Sequence, residues 1–492
     1  MSRMVAQPAA DPRTAIREEV RAATTAPGVK AETIFRLGAA AVEYGMRPEA
    51  DAMFALAVRV LRQFIARGDA PNALALEGAI YSIFVKTIES EEHYERCFSQ
   101  WRDEMAALGR SFAKEPGRGL DDAGGRDVAF VFHSGTVLGH TEVLFQLIRG
   151  RSASSVPPRI YTLFGQDANF AEATAARGIP VETYPRAPGG PHEWLRERIA
   201  ANGERVAVWV SVPTAALFVL AARVAPVQVF WSLKHHPIRA PEIDGYITYG
   251  SWGERERVFH GQPWTVCPMP LALDPRQPRA QDVAALRARF PHPVLAGTLA
   301  REEKIASPPF LESVAAILER HPQMGYLWTG RSRHAGIDAF FRERGMEDRC
   351  HFVGWVDTPL YAAVLDLFLE TFPFGCGITG YQAIDAGVPL LSYAEANTVF
   401  GMQFWEEAGA GRRPLEREAL DLYPVLAARD PGEYVELASR LVDDPAFRES
   451  WRERERAFHA KEIADNSRYS QRFFATLEAI AASKARETPR AV

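Results

Sequence analysis

At 492 residues the chain is too long for one ordinary core and divides into two or three domains on a scale of roughly 100 to 200 residues each. With 47% hydrophobic and 24% charged residues it reads as soluble and globular, and a net charge of -5 excludes a broad cationic surface for sequence-independent nucleic-acid binding. Cys97, Cys267, Cys350 and Cys376 lie far apart without a Cys-x-x-Cys pair, which argues against a zinc site or disulfide framework and for reduced thiols. The first residues carry no apolar signal core, and no stretch approaches the roughly 18 apolar residues of a membrane span. A cytoplasmic protein without membrane span or nucleic-acid partner is expected.

After a polar start, residues from about Ala31 to Phe112 place apolar side chains at helical spacing, for example Met53, Leu56, Val60 and Phe64. This predicts an all-helical N-terminal domain, residues 1–125, closed by the linker Glu115-Pro-Gly-Arg-Gly-Leu-Asp-Asp-Ala-Gly-Gly125. From Val128 the period changes. Short apolar runs at Val128-Ala-Phe-Val-Phe132, Arg159–Phe164, Val206–Val210, Val227–Trp231 and Gly245–Thr248 alternate with helices or loops, predicting a first Rossmann-like α/β domain over 126–285. The grammar restarts at Val294–Thr298, Met324–Trp328, Cys350–Val353, Leu367–Glu370 and Pro389–Tyr393, with helices at Phe310–Arg320 and Gly336–Arg344. That predicts a second Rossmann-like domain over 286–492, ending in charged C-terminal helices from about Pro431, and a cleft onto which the strand C-termini of both units open.

Four loops carry candidate chemistry. In Glu370-Thr-Phe-Pro-Phe-Gly-Cys-Gly-Ile-Thr-Gly-Tyr-Gln-Ala-Ile-Asp-Ala-Gly-Val-Pro-Leu390, a strand ends at Glu370 and Gly375, Gly377 and Gly380 let backbone approach a ligand. A helix starting near Thr379 then offers free N–H groups and a positive dipole end, which binds phosphate; a glycine turn serving packing alone is the alternative. Gly297-Thr-Leu-Ala-Arg301-Glu-Glu-Lys304 follows the first strand of the second unit, where a cation would face the same end of the cleft and neutralise a departing diphosphate. A solvated run of charge is the plainer reading of that tetrapeptide. The loop after Val227–Trp231 holds Lys234, His235 and His236 as cleft-lining candidates, either base or phosphate donor or simply exposed histidines. Leu138-Gly139-His140-Thr141 joins the first strand and helix of the first unit, with His140 as candidate base or as a helix-capping histidine. No Asp-x-Asp occurs, and Glu242-Ile-Asp244, which comes near it, sits just before a strand. Metal-free chemistry is expected.

Taken in order over roughly Val128 to Phe400, and with Ala386-Gly-Val-Pro389 closing the last of them, these loops resemble the nucleotide-sugar-dependent glycosyltransferases with two Rossmann domains. The nearest resemblance is to the O-GlcNAc-transferase-like family, glycosyltransferase family 41, and its bacterial adhesin and flagellin branch. The resemblance implies a GT-B fold, with the helical domain 1–125 in the position of an acceptor-binding domain, the first Rossmann-like domain on the acceptor side, and the second binding the nucleotide-sugar, Gly375, Gly377, Ile378, Thr379 and Gly380 lying at the diphosphate of a UDP-sugar. Gln382 stands where the family has an acid on the ribose hydroxyls, and an amide can accept and donate there as well. Gly377 and Ile378 replace a His-Thr pair usual in eukaryotic members. Lys304 matches a lysine that contacts the diphosphate, Arg301 an arginine of the wider retaining branch, and His140 a histidine facing acceptor and donor sugar. The implied activity is inverting transfer of a hexose or N-acetylhexosamine from a UDP-sugar co-substrate to a protein side chain, without other cofactor. Alternatives are a GT-B enzyme acting on a glycan or small molecule, a UDP-sugar 2-epimerase, or a non-catalytic partner of a glycosyltransferase.

Overall fold

The computed structural model describes residues 12–84, 91–113, 128–151, 158–186, 190–210, 216–233, 240–250, 254–259, 261–273, 278–394 and 417–487. The glycine-rich linker at 115–125 and the loop with Lys234, His235 and His236 lie outside them.

Five helices come first: α1 (Pro12–Thr25), α2 (Ala31–Glu43), α3 (Arg47–Ala66), α4 (Ala70–Phe84) and α5 (Glu91–Arg110). The polar start thus contains a helix, of which Val20 and Ala23 are buried. The first sheet is built from β1 (Val128–Phe132), β2 (Arg159–Thr162), β3 (Val181–Thr183), β4 (Val206–Val210), β5 (Val227–Ser232), β6 (Gly245–Thr248), β7 (Glu256–Phe259) and β8 (Gln262–Val266). Its order is β3-β2-β1-β4-β5-β6-β8-β7, parallel except where β7 turns back on β8. Connecting helices are α6 (Gly139–Arg149), α7 (Ala168–Ala175), α8 (Gly190–Ala201) and α9 (Ala216–Ala221). All five residues of β1 and of β4 are buried, as central parallel strands covered on both faces require.

After α10 (Ala280–Arg287) the second sheet comprises β9 (Val294–Thr298), β10 (Met324–Trp328), β11 (Cys350–Phe352), β12 (Leu367–Leu369), β13 (Leu390–Tyr393) and β14 (Leu426–Ala428). It runs β11-β10-β9-β12-β13-β14, all parallel. Its helices are α11 (Glu302–Ile305), α12 (Pro308–Arg320), α13 (Ala335–Glu343), α14 (Thr358–Ala362), α15 (Ile378–Asp385), α16 (Arg417–Leu422), α17 (Pro431–Asp443), α18 (Pro445–Ala464) and α19 (Asn466–Glu487). Both sheets therefore hold the Rossmann strand order, third-second-first-fourth-fifth-sixth, whose crevice lies at the strand C-termini.

Two contacts tie the pieces together. The helical layer shares one core with the first sheet: Trp101 and Met105 of α5 belong to the same buried cluster as Val131, Phe218 and Trp264. Gly109 of α5 lies so close to the Phe218 carbonyl that a side chain there would collide with it. At the other end α19, although last in the chain, packs on the first sheet. Phe473 stacks on Phe130 with centroids 6.4 Å apart and meets Trp231 edge-on, Ser470 donates to the Leu147 carbonyl at 2.6 Å, and Lys484 pairs with Asp244 at 3.0 Å.

Two fully buried carboxyl groups brace this frame. Glu455 of α18 accepts the backbone N–H groups of Leu390 and Leu426 at 2.8 and 3.2 Å, at the starts of β13 and β14. Glu77 of α4 accepts the N–H of Leu217, and burial pushes both acids up to about 8. An acid whose folded pKa lies above its unfolded one holds extra protons when folded, so stability is lost as pH rises from 4.5 towards 8. The thermal midpoint should therefore fall when pH is raised from about 6.5 to about 8, and Glu455→Gln should flatten the fall. A midpoint rising over this range would show instead that both groups ionise freely in the fold.

Candidate active site

The second sheet delivers its chemistry at the C-termini of β9 and β12, neighbours in the sheet. After β9 the chain turns through Leu299–Arg301 into the single turn α11, which carries Lys304. Its ammonium donates to the carbonyl of Gly375 in the loop after β12. Burial draws the pKa of Lys304 below the ordinary lysine range, and exposed Arg301 beside it adds to the effect, while Glu370 and Glu303 oppose it. Thr379 donates through its hydroxyl to the Leu299 carbonyl at 2.6 Å, a second stitch between the two loops.

The loop from 371 to 377 is held from beneath by Glu370, which directly follows β12 and is fully buried. One carboxylate oxygen accepts the N–H of Cys376 at 3.2 Å and the other the hydroxyl of Ser392 on β13 at 2.6 Å; burial pushes this acid up to about 7. Thr371 bonds the Phe374 carbonyl at 2.5 Å, and Tyr434 of α17 bonds the carbonyl of Glu370 at 2.9 Å. These bonds shape a turn that leads into Gly377, the residue before α15, at φ 70° and ψ −126°. Only glycine adopts that conformation without strain, and open space faces it. The first N–H groups of α15 follow this turn at the positive end of the helix dipole, the kind of helix end that binds phosphate.

Gln382 lies one turn into α15, in a pocket that α15 shares with Glu142 and Arg177 of the first domain. The Arg177 and Glu142 side chains pair at 3.8 Å across its far wall.

The first sheet brings His140 to the opposite side. The loop after β1 is closed by buried Thr141, which donates to the Thr136 carbonyl at 2.7 Å, so Thr141 ties the loop and His140 is the second residue of the helix. The His140 ring stacks against Phe132 with centroids 6.1 Å apart, and burial pushes it down to about 4, leaving a neutral imidazole near pH 7. His133, at the mouth of the same loop, is likewise pushed by burial to about 4 and shares a hydrogen bond of 3.1 Å with Ser134. Gly139, the neighbour of His140, meets the side chain of Ile378, so the two loops face each other across the cleft.

The structure thus brings together Lys304, Gly375, Gly377, Ile378, Thr379 and Gly380, sets His140 opposite, and leaves Arg301 exposed at the rim. Glu370 and the Thr379 bond to Leu299 escape sequence reading, because their partners are remote in the chain. Glu242 and Asp244, the nearest approach to a carboxylate pair, are committed elsewhere: Glu242 to Arg110 at 2.6 Å, and Asp244 to Arg223 at 2.8 Å and Lys484 at 3.0 Å.

Comparison with known proteins reports on the fold. No protein-family model matches the chain, and no curated protein sequence matches it. Among solved structures it is similar to a mutant form of the O-GlcNAc transferase of Thermobaculum terrenum, with a TM-score of 0.56 and 15% identity over 97% of this chain and 95% of that one. It is also similar to the HepE protein of Anabaena in complex with UDP and glucose, with a TM-score of 0.52 and 13% identity over 72% of this chain and 99% of that one. A glycosyltransferase of Rickettsia africae superposes with a TM-score of 0.50 and 9% identity, over 74% of this chain and all of the other. These neighbours are glycosyltransferases of two Rossmann-like domains, and this chain has their GT-B fold. Among the described residues no helix is long and apolar enough to cross a membrane.

Glu370→Leu should destabilise the second domain by about 3 kcal/mol, since the Cys376 N–H and Ser392 hydroxyl lose a buried acceptor. It should also expose the loop at 371–377 to protease. Urea unfolding and limited proteolysis measure both, and wild-type behaviour in both would assign the loop's shape to the glycines alone.

Proposed function

We propose that this protein is an inverting, metal-independent glycosyltransferase that moves a hexose or N-acetylhexosamine from a UDP-sugar to a protein side chain. The observation that carries the proposal is the convergence of Lys304 and the amino end of α15 on one glycine loop, opposite a neutral histidine. The UDP and glucose bound by the Anabaena HepE protein support a UDP-sugar as the donor. In this reading His140 takes the proton from the acceptor hydroxyl or amide. The acceptor attacks the anomeric carbon from the face opposite the diphosphate, the bond from that carbon to the phosphate oxygen breaks, and UDP leaves with the electron pair. An ammonium has three donors; one holds Gly375, and the others remain for the leaving oxygens. The α15 N–H groups and Lys304 supply the positive potential that a metal gives in other enzymes, and Gln382 takes a ribose hydroxyl. Four free cysteines fit a reducing compartment, and the proposal places the enzyme in the bacterial cytoplasm.

Calorimetry with UDP-glucose, UDP-galactose and UDP-GlcNAc, followed by mass analysis of co-expressed proteins, tests the reading; failure of all three donors to bind would refute it. Lys304→Ala should lower turnover on the order of 100-fold with little change in donor affinity, because its interaction strengthens as charge moves onto UDP. EDTA should leave turnover intact; loss of activity restored by Mg²⁺ would put a metal in the site.

The pH profile has a definite sign. His140 works in its neutral form, so the acid limb of kcat/KM should lie near its folded value of about 4 rather than near 6.5. Bound diphosphate is negative and favours imidazolium, so the limb in kcat should move upward. Lys304 works as a cation with a lowered pKa, so activity should fall on the alkaline side below the ordinary lysine value of 10.5. An acid limb at about 6.5 in kcat/KM would point to an exposed histidine as the base.

A further inference from the structure

Gly139 is a glycine without a backbone reason. Its φ lies outside the left-handed region that marks eleven other glycines, it opens α6, and helix propensity favours alanine there. What it meets explains it. A β-carbon at Gly139 would stand 3.1 Å from Cδ1 of Ile378 and 3.9 Å from its Cγ1, and outside its own helix and chain neighbours it would meet no other heavy atom of the described residues within 4 Å. The first is tighter than ordinary packing tolerates; the second is a normal contact. Ile378 is the first residue of α15, so one methyl group separates the helix that presents the phosphate-binding N–H groups from the turn that presents His140.

We infer that the Ile378 side chain is a stop against Gly139 that sets the distance between the proton-accepting turn and the leaving-group loop. Ile378 is a positioning residue: its backbone N–H faces the donor, and its side chain acts through His140. The inference rests on the glycosyl-transfer reading above and extends it to the residues that fix the geometry of the reaction. A shift of a few tenths of an ångström at the stop moves the base relative to the anomeric carbon, and misplacement of about 1 Å can cost roughly 100-fold in rate.

The test moves one methyl group across the cleft. Gly139→Ala adds a carbon that Ile378 must yield to, Ile378→Val removes Cδ1, and the double variant exchanges the two. Full-length wild type and the three variants are compared in calorimetric UDP binding, in turnover of UDP-GlcNAc, UDP-glucose or UDP-galactose with water as acceptor, and in thermal unfolding without ligand. In this reaction a bond forms between the water oxygen and the anomeric carbon, the anomeric carbon to phosphate oxygen bond breaks, and the proton passes to His140. Each single substitution should lower kcat about tenfold with UDP affinity within about threefold, since the α15 backbone is unchanged. The double variant should recover to within about twofold of wild type, a non-additivity that independent sites do not show.

Singles that leave kcat unchanged, or a double variant whose losses simply add, overturn the inference. Compensation in unfolding without compensation in kcat also overturns it, reducing the contact to packing. A wild type that binds none of the three donors overturns the transferase reading, and the stop falls with it.

Discussion

Everything proposed for this protein depends on a buried junction at the end of β12, where a carboxylate and an ammonium grip one loop by its backbone. Glu370 holds the Cys376 N–H from beneath and Lys304 holds the Gly375 carbonyl from the side. Neither charge is satisfied by the other alone. Burial raises the acid and lowers the base, and their mutual attraction opposes both shifts. Such an arrangement is costly unless each charge also finds hydrogen bonds, and here the loop backbone and Ser392 provide them. The consequence is a glycine turn held by buried bonds to its own backbone, from which α15 begins.

Aiming the loop is useful only if the opposite wall is fixed as well. The chain achieves this by returning: α19 leaves the second domain and lies along the first, so that Phe473 fills the space between Phe130 and Trp231. The helical layer performs a related service from the other face, since α5 and the first sheet close one core. It is not an appendage that can be removed without cost. Cutting it away would bare the apolar surface around Phe218 and Trp264, so any role in recognising an acceptor has to be examined by substitution on its outer face.

Much of this was legible in the residues. Central strands such as Val128–Phe132, Val206–Val210, Val294–Thr298 and Met324–Trp328 are continuous apolar runs because both faces are covered, and their limits agree with the structure. Sequence reading misses β3, β7, β14 and β8, the last a five-residue strand, Gln-Pro-Trp-Thr-Val, paired with both β6 and β7. β3 is three half-buried residues; β7 pairs on one side only and leaves Val258 64% exposed; β14 is Leu-Ala-Ala. None of the four carries an apolar run long enough to read, and they take their identity from pairing. The site divides in the same way. Lys304 and the glycines announce themselves by standing after apolar strands, whereas Glu370 reads as the last residue of a strand until Ser392 and Cys376 are seen around it.

In the reaction proposed above, one histidine and one lysine serve, and the same electrostatics accounts for how they would. Both groups sit where burial disfavours charge: the imidazole is neutral and the ammonium is weakened. A diphosphate reverses the balance, because its negative charge favours the protonated form of each group. In the proposed reaction Lys304 would become more firmly cationic as the donor arrives, and His140 would become a better proton acceptor at the moment an acceptor can supply the proton. Since the charge on the departing UDP grows along the reaction, both effects are stronger in the transition state than in the bound donor, which is the condition for turnover rather than affinity to benefit.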